Sequence, residues 1–177
     1  MLIGKTNRSK NGFTLIEVIL YVGIIAYLMT SLVQFTINLF TVKNKSGVQQ
    51  EVGSALLFVS SKLSYEIRQA KGINSATPTS ISLSVFDPAR NPTVFDLNND
   101  TIRMGVGPSG SCSSTSPCPL TGSKIIITAF NLTNLSTQDT TTSNIRYQLI
   151  AAYHSPSARS EFVYSASLTG SAEIRSK

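Results

Sequence analysis

A lone carboxylate, Glu17, stands at the head of an apolar stretch that carries no other charge until Lys43. Centred in hydrocarbon, an ionised carboxyl costs roughly 2 to 4 kcal/mol on insertion scales, so an acid in such a segment points to a partner cation or a functional role. Asp96, Asn98 and Asp100 space oxygen ligands two residues apart, as a calcium loop begins. Such a loop also demands glycine at its sixth position and glutamate at its twelfth. Thr101 and Gly107 stand there, so a polar hairpin turn is expected and no metal site is assigned. Cys112 and Cys118 lie in a Gly/Ser/Pro-rich stretch, where they can close a small loop disulfide in an oxidising compartment or stay free thiols. Even with the single histidine, His154, they fall short of the four ligands of a structural zinc site. His154 is accompanied by no nucleophile motif and no paired acid, which leaves it a surface-loop residue. No cofactor and no catalytic residue are expected.

The elements that must position Glu17 follow from the order of features. Lys5, Arg8 and Lys10 precede it with no acid among them. A short basic segment before an apolar run stays cytoplasmic by the positive-inside rule, so the chain is expected to enter the membrane pointing outward. From Phe13 to Phe40 the sequence is apolar on all sides, and its uncharged length exceeds the roughly 20 residues that span a bilayer. An ordinary secretory signal would be shorter and end at a small-residue cleavage site.

After Lys43-Asn44-Lys45 the pattern changes. Val48, Val52, Ala55, Val59, Leu63, Ile67 and Ala70 recur at steps of three or four and predict one apolar helical stripe, with Gln49, Gln50, Ser60 and Ser61 opposite. Arg68 and Lys71 suit the negative end of a helix dipole, and Gly72 reads as its cap. A continuous helix over residues 13–71 would be about 88 Å long, more than a small domain can bury. Half of it must then lie in membrane or among neighbouring subunits.

Beyond Gly72 the composition shifts to Ser, Thr, Asn and β-branched residues. Ile81, Leu83 and Val85 alternate with serines, and Thr93–Leu97 and Thr101–Val106 flank Asn98-Asn99-Asp100 as a hairpin. Further strands are expected over Lys124–Phe130, Asn144–Ile150 and Ser160–Leu168. A helix followed by antiparallel strands is an α+β pattern.

Gly12-Phe13-Thr14-Leu15-Ile16-Glu17, after a basic leader and before an apolar helix, resembles the class III signal sequence of type IV pilins and type II secretion pseudopilins. The resemblance covers about thirty residues. It implies a pilin-like fold, a long amino-terminal helix packed on an antiparallel sheet. It also implies cleavage after Gly12 by a prepilin peptidase and methylation of the new amino terminus at Phe13. Glu17 becomes the fifth residue of the mature chain, and the resemblance implies that it pairs with the amine of a neighbouring subunit during assembly. Implied partners are that peptidase, other pilin or pseudopilin subunits, an inner-membrane assembly platform and the cytoplasmic membrane, with the carboxy-terminal body outside.

Many major pilins carry a proline where this chain has Gln34, and no proline occurs before Pro78. Ser64-Tyr65-Glu66-Ile67-Arg68-Gln69-Ala70, the Phe95-to-Met104 hairpin and Ala172-Glu173-Ile174-Arg175 are similar to segments of J-type minor pseudopilins. Both features favour a minor subunit. The division expected is a leader over residues 1–12, a membrane or filament-core helix over 13–42, an amphipathic helix over 43–72 and a β domain over 73–177.

Charge adds little. The net charge of +6 falls to +3 without the leader, with 12 basic against 9 acidic residues. Lys43, Lys45, Arg90, Arg103, Arg146 and Arg159 could gather on one face and bind nucleic acid weakly. That is the alternative reading, an adhesin or DNA receptor whose loops, especially residues 105–122, meet a ligand.

Overall fold

The computed structural model of the chain describes residues 12–110, 118–136, 143–155 and 160–175. Among the described residues one α-helix, α1 (Leu15–Gln69), leads into eight strands, and the chain divides into two compact units between Val42 and Lys43. The architecture is α+β, as expected from the sequence pattern.

Within the first unit the apolar side chains from Phe13 to Val42 are exposed, and α1 contains a stretch long and apolar enough to cross a membrane by length and composition. Gly23 and Gly47 stand inside α1 without interrupting it. Thr30, Thr36 and Thr41 turn their hydroxyls back to the carbonyls of Ala26, Leu32 and Ile37 at 2.8 to 3.1 Å. These bonds satisfy the hydroxyls locally, which matters where no water is at hand.

The second unit holds the core. Val48, Val52, Leu56, Val59, Leu63 and Ile67 of α1 are buried, followed by Ala70. Leu56 replaces Ala55 as the fully buried member of the stripe, because the steps of four, three and four from Val52 to Leu63 bring it beneath the helix. Each such aliphatic side chain removed from water contributes about 1.5 to 3 kcal/mol. α1 packs on β7 (Asn144–Tyr153) and β8 (Ser165–Glu173), two strands of the smaller sheet.

Five strands, β1 (Gly72–Thr77), β2 (Ser80–Ser84), β3 (Thr93–Asn98), β4 (Thr101–Val106) and β5 (Cys118–Pro119), form an antiparallel sheet in that order. β6 (Ile125–Asn134), β7 (Asn144–Tyr153) and β8 (Ser165–Glu173) form a second, with β7 central. The sheets meet where Ile127 N–H donates to the Asp100 carbonyl at 2.8 Å and Leu132 N–H to that of Pro78 at 2.9 Å. One continuous cluster of apolar residues joins α1, β2, β3, β4, β6, β7 and β8.

Local differences from the sequence pattern have physical reasons. Gly72 is not a left-handed helix cap; it opens β1 opposite Ser84, and α1 ends earlier, at Gln69. β8 starts at Ser165 instead of Ser160, because Ser160–Phe162 form a turn of 3-10 helix in which strand alternation has no meaning. Ser60 does not face solvent on the polar side of the helix. Its hydroxyl lies 2.8 Å from Tyr147 Oη, which also meets Ser64 Oγ at 2.7 Å, tying β7 to α1. The Tyr147 ring crosses its cross-strand partner Gly170 so closely that a side chain there would collide with it.

Candidate functional site

Gly12, Phe13 and Thr14 are non-helical and exposed, and α1 begins at Leu15. The boundary sits there because Thr14 caps the helix: its carbonyl and hydroxyl accept from Glu17 N–H at 3.1 and 3.4 Å. A threonine followed three residues later by glutamate is the sequence form of a capping box. The spacing also puts Glu17 in the first turn, where the helix dipole favours a negative charge. That local role was legible in Thr14-Leu15-Ile16-Glu17 and sequence reasoning passed over it.

Among the described residues nothing comes within 4 Å of the position a side chain would take at Gly12. The Phe13 ring meets Tyr21 edge-on, with centroids 6.4 Å apart. Glu17 makes no ion pair among the described residues.

The other glutamate of interest on α1 has the opposite setting. Glu66 is 1 % exposed, yet its carboxylate is held by Arg90 Nη2 at 2.8 and 3.0 Å and by Lys62 Nζ at 2.9 Å. Arg90 ends a 3-10 turn, Pro88–Arg90, in which the Ala89 N–H donates to the Asp87 carboxylate at 2.9 Å. The pair was not foreseen from sequence, because its members lie 24 residues apart and neither stands in a periodic pattern.

Asp96, Asn98 and Asp100 do not converge on a cation. Asp96 is the cross-strand partner of Arg103 and pairs with its guanidinium. That hydrogen bond, with the charge of Asp96, raises the Arg103 pKa above its ordinary value against the opposing effect of burial. Asn99 and Asp100 have φ of 47° and 58°, the two left-handed residues of a tight hairpin turn between Asn98 and Thr101. Among the described residues no group of three His, Cys, Asp or Glu could hold a metal.

Cys118 lies on β5 and is disulfide-bonded, while Cys112 falls outside the described residues. His154 is exposed just beyond β7, its backbone N–H donating to the Lys124 carbonyl at 2.7 Å. The hollow beside it is lined by Tyr153, Phe162 and Tyr164 among others, and by no carboxylate among the described residues. The six cations of the nucleic-acid reading are partly engaged elsewhere: Arg90 with Glu66, Arg103 with Asp96. Arg159 lies outside the described residues.

Comparisons of the chain with known protein families, with curated proteins and with solved structures find no match. What the structure defines is a class by architecture: a long helix with an apolar amino-terminal part, its second half packed on antiparallel sheets, an arrangement compatible with a pilin-like fold.

Proposed function

We propose that the chain is a minor pilin or pseudopilin, a structural subunit that is cut after Gly12, methylated on Phe13 and built into a thin filament through α1. The observation that carries the reading is Glu17, without an ion-pair partner among the described residues, in the first turn of a helix whose next 25 residues carry no charge, just after the non-helical Gly12-Phe13 peptide. A non-helical peptide suits a peptidase that must hold its substrate extended. Cutting there frees an amine four residues before Glu17.

In the membrane the carboxylate is costly, and in a filament the amine of a neighbouring subunit offsets that cost. The exposed apolar surface of residues 13–42 then changes its neighbours from lipid to other helices. The chain is the peptidase's substrate and carries out no reaction of its own.

Glu17→Ala tests the assembly step in cells that make the peptidase and the filament. Processing at Gly12 is expected to continue while the protein stays in the membrane fraction and is lost from sheared filaments. Normal incorporation of Glu17→Ala would contradict the proposed pairing.

A further inference from the structure

A groove of about 630 Å³ runs along the outer face of the second half of α1, bordered by the β2–β3 loop and by the end of the chain after β8. Its lining comprises two aromatic residues, Tyr65 and Phe86, two arginines, Arg68 and Arg175, and Ser61, Ser64 and Gln69. The rings are 51 % and 63 % exposed, and Leu57, one helical turn before Ser61, is 64 % exposed. Exposed rings gathered on one face of a folded body mark an interaction surface.

Neither arginine pairs with an acid among the described residues. Their backbones are neighbours: Arg175 N–H donates to the Arg68 carbonyl at 3.4 Å, which sets the residues just after β8 beside the end of α1. Phe86 is positioned by the loop that Arg90 fastens to buried Glu66.

We propose that this groove binds an acidic segment of another polypeptide, a carboxylate on Arg68 and Arg175 and a neighbouring apolar or aromatic side chain between Tyr65 and Phe86. Charge selects the occupant. Two unpaired guanidinium groups match one or two carboxylates bidentately. A polyphosphate backbone would need a longer run of free cations than these two. The site is independent of Glu17 and of the filament reading, since every residue in it belongs to the second unit.

The test uses the full chain in detergent micelles and three fluorescein-labelled probes: a heptapeptide with phenylalanine flanked by glutamates, its lysine counterpart, and oligo-dT. Saturable binding of the glutamate peptide alone is expected, weakened by salt. Arg68→Gln is expected to weaken it about tenfold, the loss of one charge-assisted contact, and Phe86→Ala several-fold. The double variant Arg68→Glu, Arg175→Glu is expected to shift preference to the lysine peptide, with thermal melting unchanged because both side chains are exposed. Equal binding of both peptides, no saturable binding of either, or tighter binding of oligo-dT would each overturn the proposal.

Discussion

Glu17 and Glu66 stand on the same helix and are held in opposite ways. Glu66 lies in the second unit, buried, with Arg90 and Lys62 on its carboxylate. Glu17 lies in the first unit with a backbone cap and no counter-ion among the described residues. The apolar residues around them follow the same division: Val52, Leu56, Val59 and Leu63 are buried, whereas those from Phe13 to Val42 are exposed among the described residues. The second half of the helix is covered by this chain's own strands, and the first half presents its apolar surface and its one charge uncovered among the described residues.

The sharpest way to break that comparison is a matched pair of truncations. Leu63→Ala, in the covered half, is expected to cost about 3 kcal/mol, because buried leucine loses transfer energy and leaves a cavity. Thermal melting of the full chain in micelles, followed by near-ultraviolet circular dichroism, should fall by roughly 10 °C. Leu28→Ala, in the uncovered half, should leave the same transition within about 0.5 kcal/mol. Similar losses at both positions would remove the distinction.

A somewhat smaller effect is expected from the clasp. Arg90→Met strands the Glu66 carboxylate with Lys62 alone and should destabilise by about 2 to 3 kcal/mol, below the usual range for a broken buried pair because Arg90 is partly exposed. Adding Glu66→Met should recover most of the loss, since removing both charges relieves the uncompensated burial. Glu17→Gln should leave the melting of the second unit unmoved. A double variant no better than Arg90→Met would show that the carboxylate is not the seat of the cost.

Tyr147→Phe removes the hydroxyl that meets Ser60 and Ser64 and should cost about 1 to 1.5 kcal/mol, measured in the same melts. Smallest is the pair between Asp96 and Arg103, both about a third exposed at the side chain. Asp96→Asn should cost at most about 1 kcal/mol and less in high salt.

The same contrast explains what was legible in the sequence. Features set by neighbours along the chain could be read: the apolar run, the stripe from Val48 to Ala70, the Asn99-Asp100 turn that fixes the register of β3 against β4. Features set by distant contacts could not. β1 was missed because only Ile73 and Ala76 of its six residues join the core, so its membership depends on pairing with β2. The division of the strands into two sheets depends on which edges meet, and nothing in strand periodicity reports that.

Glu66 reads as an ordinary polar residue in Ser64-Tyr65-Glu66 until Arg90 arrives from the far side of β2. At Gly12, Phe13 and Glu17 the motif itself was plain, and the part overlooked was the most local: Thr14 capping Glu17.

The most direct test of the central claim is the intact mass and amino-terminal sequence of the protein made with and without a prepilin peptidase. The account predicts loss of residues 1–12 and one added methyl group on Phe13, seen only when the peptidase is present. A chain that keeps Met1 beside an active peptidase, or that begins at any residue other than Phe13, would contradict it.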